Sequence, residues 1–257
     1  MRGEWDECLD MIGLDWDGWL ETPQGQYLMA WECARVSARV VDIFGYHALQ
    51  VGCPQLPLLD QSRIAHRHYM AFDDIGARRF PIADDGVLAA LLALPFASAS
   101  VDLVVLPHVL EFCPDPLAVL REIERVLTAD GHLVLTGFNP LSLWALDQRT
   151  PFGWPGHQRL RIARVCDWLA DESFDVHECG TGCYRPPLVS ARWLERWRLL
   201  DRLGTRAWPA CGAAYMVHAS KRTVTMRLIE PVWRLRRNGK AALMPAVRRD
   251  LTSSDGT

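Results

Sequence analysis

Residues 101–138 read VDLVVLPHVLEFCPDPLAVLREIERVLTADGHLVLTGF, and this stretch decides the fold. It opens on VDLVVL at 101–106, an apolar run of strand length, as expected for a parallel strand that is buried on both faces. Asp115 then offers a helix N-cap, and Pro116 offers the first helical position. A second apolar run at 132–138 predicts the following strand. Strand, capped helix and strand form a βαβ unit, which crosses over right-handedly within a parallel sheet.

The chain on either side of this unit repeats the alternation of strand and helix. Apolar runs predict five further strands, at 48–51, 63–72, 87–92, 174–178 and 213–220. Helical spacing of apolar residues predicts three further helices, at 26–44, 160–169 and 191–203. The central helix should end at Gly131 and bury a stripe made of Leu117, Leu120, Ile123 and Leu127. The fold class that follows is α/β: a doubly wound, mostly parallel, seven-stranded Rossmann-like sheet with helices on both faces.

Three segments are expected along the chain. Residues 1–45 form an acidic N-terminal segment and a helix that packs on the core, and residues 46–222 form the sheet domain. Within that domain, the Pro- and Gly-punctuated stretch 140–158 is a candidate lid or insertion. Residues 223–257 form a basic tail, because nine basic residues and one acid lie between 221 and 249. Such a tail can contact nucleic acid or an anionic surface, although a solvated tail or helix face is the favoured interpretation.

Composition excludes several classes of protein. Apolar residues make up 49% of the chain and charged residues 23%, which is typical of a globular protein. The apolar runs are too short for a membrane span, and the acidic start of the chain does not resemble a secretory signal. Eight scattered cysteines without an export signal predict reduced thiols and a cytoplasmic protein. The sequence does not indicate an oligomeric state.

Residues 94–140 carry an ordered series of short motifs around the βαβ unit. They are Leu94-Pro95-Phe96, Ser100-Val101-Asp102, His108-Val109-Leu110-Glu111, Asp115-Pro116, Leu120-Arg121-Glu122 and Asp130-Gly131. In this order they resemble the central part of class I S-adenosylmethionine-dependent methyltransferases of the type-11 group. The resemblance covers about a fifth of the chain. It implies the methyltransferase form of the sheet, S-adenosylmethionine as cofactor, and methyl transfer to an acceptor that is expected to be a small molecule.

The resemblance also places the cofactor loop. In the family this loop follows the first strand and is similar to Asp/Glu-x-Gly-x-Gly-x-Gly, and here its places hold Gln50, Gly52, Pro54 and Leu56. Only Gly52 is kept, since Pro54 removes an N–H donor, Leu56 adds bulk, and Gln50 cannot pair with a cation as a carboxylate would. These departures support an alternative function, in which a protein of the same fold lacks catalysis and acts as a binding or regulatory partner.

Other cofactor-binding residues follow from the same comparison. Asp73 or Asp74 stands about 20 residues after Gly52, where an acid would bind the ribose, although either could simply be a turn residue. The remaining cofactor-binding candidates are Gln50, Gly52, Cys53, Leu91, Leu92, Leu106, Pro107 and His108. Leu91 and Leu92 would form an apolar wall for the adenine, and residues 106–108 would line the methionine part. His108 is the candidate catalytic residue, against the plainer interpretation of a packed or capping histidine, and Glu111 is a weaker candidate.

Two further chemistries are disfavoured. His177, Glu178, Cys179 and Cys183 are potential metal ligands, but no second pair has finger-like spacing, so no metal site is predicted. A nicotinamide dehydrogenase is disfavoured because no Gly-x-Gly-x-x-Gly follows a strand.

Overall fold

A computed structural model describes residues 16–53, 55–71, 86–153, 157–187 and 191–222. The strands are β1 His47–Val51, β2 His66–Ala71, β3 Gly86–Leu88, β4 Val101–Pro107, β5 Leu127–Phe138, β6 Phe174–Gly182 and β7 Ala214–Lys221. The helices are α1 Trp16–Glu21, α2 Pro23–Val40, α3 Pro116–Val126, α4 Ile162–Asp171, α5 Ala191–Arg196 and α6 Leu199–Ala207. Asp73, Asp74, Pro54 and the tail at 223–257 lie outside the described residues.

The seven described strands form one sheet in the order β3-β2-β1-β4-β5-β7-β6. All neighbours pair in parallel except β7, which is antiparallel to both β5 and β6. The strand order reverses between β1 and β4, which pair directly. Open α/β sheets bind ligands at such a switch point, beyond the carboxyl ends of the strands. The predicted fold class, including its seven strands, is confirmed.

The two faces of the sheet are covered by different helices. Alternate strand residues point to opposite faces, as the pleat requires. On one face α3 and α4 pack against strand residues that include Val104 and Leu133. On the other face α2 packs against strand residues that include Leu103 and Val134. Among the described residues, no helix has both the length and the apolar character needed to cross a bilayer.

The central βαβ unit forms as its sequence predicts, with one adjustment of the buried stripe. The Asp115 carboxylate accepts a hydrogen bond from the Ala118 N–H at 3.1 Å, so it caps α3, and Pro116 is the first helical residue. The buried apolar side chains are Val119, Leu120, Ile123 and Val126, while Leu117 is half-buried. The helix ends at Val126 because Leu127 is already extended, so the prediction that Gly131 ends the helix was wrong.

Several other boundaries differ from the predictions. Strand β2 covers 66–71 rather than 63–72, β5 begins at Leu127 rather than at 132, β6 continues to Gly182 rather than ending at 178, and α2 ends at Val40 rather than at 44. Helix α2 begins earlier, at Pro23, because the Thr22 side chain caps it by accepting from Gly25 N–H at 3.2 Å. The strand predicted at 87–92 ends at Leu88, and a turn follows at 91–93. The helix predicted at 191–203 is interrupted by a turn at residues 197 and 198, which separates α5 from α6.

The connection from β1 to β2 is unusual because turns, rather than a helix, occupy its described residues, 52–53 and 55–65. Four of its apolar side chains are almost fully buried: Leu56, Leu58, Leu59 and Ile64. They share a cluster with Val36 and Val40 of α2. Side chains of the loop and of the helix that precedes β1 therefore cover this part of the sheet.

Candidate functional site

The loop after β1 leaves the strand through two consecutive left-handed residues. Gly52 has φ 77° and Cys53 has φ 45°, a region that favours glycine. The Gly52 N–H donates to the Met70 carbonyl of β2 at 2.8 Å, and the Cys53 thiol donates to the Pro107 carbonyl of β4 at 3.3 Å. Burial, with a smaller contribution from the charges of Glu32 and Glu111, raises the pKa of the Cys53 thiol well above its ordinary value. The loop is therefore tied to both neighbouring strands.

Gln50 holds the loop from inside. Its side chain is completely buried, and its Nε2 donates to the carbonyls of Gly52 at 3.3 Å, Cys53 at 3.1 Å and Leu56 at 2.9 Å. A carboxylate has no proton to donate, so an acid at this place would face three acceptors. The inward direction of these three carbonyls therefore suits an amide at position 50 and not a carboxylate.

Leu56 does not project toward the ligand edge. Its side chain is 1% exposed and packs in the apolar cluster with Val36, Val40 and Leu59. The Leu56 side chain is thus part of the hydrophobic core on the α2 face of the sheet. The interior of this loop is therefore formed by the Gln50 amide and the buried Leu56 side chain.

A row of four buried polar side chains lies at the carboxyl ends of β4 and β5. Glu32 Oε1 lies 2.7 Å from His108 Nε2, and His108 Nδ1 lies 2.7 Å from Glu111 Oε1. Glu111 Oε2 in turn lies 2.9 Å from His157 Nε2. Both Glu111 oxygens also accept the Phe138 N–H, at 2.9 and 3.0 Å, which ties the row to the end of β5. All four side chains are at most 1% exposed.

The charge of His108 is set by its neighbours. Burial on its own lowers the pKa of His108, but the charges of Glu32 and Glu111 outweigh burial and raise it to about 10. Burial raises the pKa of Glu111, but the hydrogen bonds and charges of His108 and His157 bring it below its ordinary value. His108 is therefore an imidazolium at neutral pH, held between two acidic side chains. Phe138 and Trp16 flank its ring, with centroids 4.2 and 5.4 Å away.

Two polar atoms at the ends of this row lack a hydrogen-bond partner within the described part of the chain. They are Glu32 Oε2 and His157 Nδ1, and both are buried. A buried polar atom without a partner is costly, and such atoms mark places where a ligand or water binds. The Glu32 end of the row therefore presents a buried carboxylate oxygen without a partner, which favours a cationic ligand group there.

The sequence-predicted site residues lie in different settings. Gln50, Gly52, Cys53, Pro107 and His108 come together where β1 and β4 end. Leu106 is completely buried in the core, so only its backbone faces this edge. Leu91 and Leu92 are half-buried, lie in the turn after β3, and pack against the core cluster that contains α3.

Glu122 and Arg125 of α3 hold the backbone of the Leu94-Pro95-Phe96 motif. Glu122 Oε1 accepts the Leu94 N–H at 2.7 Å, and Arg125 donates to the carbonyls of Leu94 at 3.2 Å and Phe96 at 3.1 Å. The two side chains also pair with each other at 2.7 Å. Helix α3 thus fixes the Leu94-Pro95-Phe96 segment.

Sequence reasoning missed Glu32 and His157. Glu32 carries a recognisable signal, because it interrupts the buried series Leu28, Val36 and Val40 at a spacing of four residues. An acid on the buried stripe of a helix requires a partner in the interior. His157 has no comparable signal, because it lies outside any helix or strand. Its neighbour Gln158 donates its N–H to the Glu111 carbonyl at 2.7 Å. In the described residues, no group of three His, Cys, Asp or Glu side chains could hold a metal ion.

Known proteins share this fold and parts of this sequence. A family model described as "Methyltransferase domain" matches residues 73–135. The uncharacterized protein YafS of Escherichia coli (strain K12) is 30% identical over 218 residues, which cover 82% of this chain and 83% of that protein. A crystal structure of a SAM dependent methyltransferase from Archaeoglobus fulgidus gives a TM-score of 0.56 at 17% identity, over 75% of this chain and 94% of that one. The cyclase SpnF gives 0.51 at 17% identity, over 74% and 80%.

The chain belongs to the class I S-adenosylmethionine-dependent methyltransferases. The match to the family model begins at residue 73, after the loop at the end of β1. The part of this methyltransferase that departs from the family pattern, at Gln50 and Leu56, therefore lies outside the matched residues. The structural neighbours share its fold, but their sequence identity is too low to indicate a substrate.

Proposed function

We propose that this methyltransferase binds S-adenosylmethionine at the carboxyl ends of β1 and β4 and transfers the methyl group to a small-molecule acceptor in the cytoplasm. The observation that carries the proposal is the buried Glu32–His108–Glu111 group, with its unpartnered Glu32 oxygen. A buried carboxylate oxygen in this position suits a cofactor with two cationic groups, a sulfonium and an α-ammonium. When bound, the cofactor supplies a methyl group that is already activated for transfer.

The residues present fit such a cofactor at its methionine end. Gly52 and Cys53 provide backbone in a left-handed turn, which allows close approach of a ligand, and Glu32 provides the negative charge. Leu91 and Leu92 would provide the apolar wall for the adenine, and Asp73 or Asp74 a hydrogen bond to the ribose. Transfer then depends mainly on holding the acceptor in line with the methyl group, for which effective concentration supplies most of the rate gain.

His108 fits a positioning role in this proposal. Both of its ring nitrogens already contact carboxylates, at 2.7 Å each, and a pKa of about 10 leaves no free lone pair at neutral pH. A role as general base would require His108 to release one of the two carboxylates. As an imidazolium, it instead holds Glu32 in place and balances part of the buried negative charge.

Calorimetric titration with S-adenosylmethionine and with its demethylated product tests the proposal. Wild-type protein should bind both ligands, and Glu32→Gln should weaken S-adenosylmethionine by about tenfold or more, since a hydrogen bond to a charged group contributes about 1.5–3 kcal/mol. The loss should be smaller for the product, because it has no sulfonium charge. The matched control is Glu172→Gln, which removes a carboxylate that follows the last residue of α4 and pairs with Arg121. This variant should bind both ligands as wild type does. No binding at millimolar ligand would contradict the proposal.

A second candidate function is a binding or regulatory protein without methyl transfer. The observation that favours it is the contact between the Cys53 thiol and the Pro107 carbonyl, which joins β1 and β4 across the place where a cofactor would lie. The rebuilt loop at Gln50 supports the same interpretation. Similarity of fold alone does not decide between the two, because one fold can carry several functions. In the same titration, the absence of cofactor binding would favour this second function, because methyl transfer requires the cofactor.

A further inference from the structure

Helix α6 presents two different faces. Its inner face docks on the protein: Gly204 is buried so close to Tyr184 that an added Cβ would lie 2.3 Å from the ring, and Asp201 Oδ2 accepts from Arg185 Nε at 2.9 Å. Its outer face carries Leu199, Arg202, Leu203 and Arg206, at the spacing i, i+3, i+4 and i+7 that places residues on one side of a helix.

The outer face exposes apolar side chains to solvent. Leu199 is 66% exposed and Leu203 is 56% exposed. A tryptophan stands at each end of the helix: Trp197 precedes it and is 42% exposed, and Trp208 follows it and is 60% exposed. We call the four side chains on the outer side of the helix the α6 face: Leu199, Arg202, Leu203 and Arg206. Exposed apolar side chains that lie next to one another mark a surface that meets a partner.

The segment around this face is basic within an acidic protein. Residues 191–208 contain five arginines and two acids, a net charge of 5 − 2 = +3, whereas the whole chain has a net charge of −3. Both acids are engaged, since Asp201 pairs with Arg185 on the inner side and Glu195 pairs with Arg198 at 3.4 Å. The α6 face itself carries Arg202 and Arg206 and no acid, so its charge is complementary to an anionic partner.

We propose that the α6 face binds the surface of a membrane that contains anionic lipids. Leucine beside arginine on one face of a helix, with tryptophan close to its ends, is the composition of helices that lie in the headgroup region, with apolar side chains in the acyl boundary and arginines at the phosphates. Tryptophan at both ends suits such a boundary, because its ring is apolar and its N–H is polar. The contact is peripheral and involves no span, and it goes beyond methyl transfer at the β1–β4 edge.

Co-sedimentation with vesicles tests the apolar part of this surface. The full chain should bind vesicles made of equal parts phosphatidylglycerol and phosphatidylcholine, and Leu199→Ser/Leu203→Ser should lower the partition coefficient by about tenfold or more. The matched control is Leu143→Ser/Leu146→Ser, which removes two leucines that are 57% and 82% exposed elsewhere on the surface. The control should partition as wild type. Because all four leucines are exposed, far-UV circular dichroism should show unchanged folding.

The charged part is tested with the same vesicles. Arg202→Gln/Arg206→Gln should weaken binding to the phosphatidylglycerol mixture about tenfold, since each basic residue near an anionic surface contributes about 1 kcal/mol. Arg149→Gln/Arg159→Gln, two exposed arginines outside the α6 face, is the control of equal charge. The proposal is overturned if wild type does not sediment with the mixed vesicles, or if the leucine pair and its control bind equally. It is also overturned if the face instead joins two copies, seen as a wild-type dimer that the leucine variant dissociates without any vesicle binding.

Discussion

Replacing His108 with leucine is expected to lower the free energy of unfolding by about 3–5 kcal/mol. The substitution removes the imidazolium that lies 2.7 Å from both Glu32 and Glu111, in a site that is at most 1% exposed. Glu111 keeps His157 and the Phe138 N–H, whereas the Glu32 side chain loses its hydrogen-bond partner. A carboxylate without a partner in such a site is strongly destabilising, because neither water nor a cation compensates its charge. Urea unfolding of wild type and variant, compared at equal slope, measures the loss.

The matched control is His66→Leu, which replaces an exposed histidine on β2. A surface substitution of this kind should change the free energy of unfolding by less than about 0.5 kcal/mol. If His108→Leu and His66→Leu destabilise the protein equally, the buried row does not hold a charged histidine and its assignment is wrong.

The same group predicts how stability depends on pH. The pKa of His108 is about 10 in the folded protein against an ordinary value of 6.5, so the folded state holds its proton more tightly than the unfolded chain. Its contribution to stability is fully present below about pH 6.5 and is lost as the pH rises toward 10. Wild type should therefore lose stability over this window in urea unfolding, and His108→Leu should show a flatter profile. Parallel profiles for the two proteins would contradict the raised pKa.

Placing the family's acid at position 50, at the start of the loop after β1, is expected to destabilise this protein. Gln50→Glu should lower the free energy of unfolding at pH 7 by about 3 kcal/mol, because a buried carboxylate would face the carbonyls of Gly52, Cys53 and Leu56. Burial beside these acceptors raises the pKa of the new carboxyl. A raised carboxyl pKa means that the folded state takes up a proton as the pH falls, so the difference from wild type should shrink between pH 7 and pH 5.

Gln50→Met is the control for this substitution, since it removes the three hydrogen bonds without adding a charge. It should also destabilise the protein, but its difference from wild type should not change between pH 7 and pH 5. A Gln50→Glu variant as stable as wild type at pH 7 would show that the loop turns its N–H groups toward residue 50, contrary to the observed bonds.

The fold was predictable where the determining contacts are local. Asp115, Pro116 and the apolar runs of β4 and β5 specify their unit within forty residues. The predicted cap and both strands are confirmed, although β5 begins at Leu127, earlier than predicted. The break between α5 and α6 was not predictable, because no glycine or proline stands at residues 197 and 198. The close approach of Gly204 to Tyr184, which lies in a different segment, was equally invisible to helical spacing.

The candidate site was predictable only in part, for a related reason. His108 and Gly52 follow strands and could be placed at the carboxyl edge from the sequence. Their partners could not, because Glu32 lies 76 positions before His108 and His157 lies 46 positions after Glu111. The direction of the loop carbonyls around Gln50 also depends on the burial of Leu56, which no local pattern determines.

The connection from β1 to β2, which is made of turns, affects the order in which the protein assembles. Because α2 covers that face from a segment before β1, its packing on β7 joins residues nearly the full length of the domain apart. Closing so long a loop is slow, whereas β4, α3 and β5 close within one short segment. We therefore expect the α2 face to form late and to open first in partial unfolding. Glu32 lies on α2, so we expect the same early opening of the α2 face to expose its buried carboxylate to solvent.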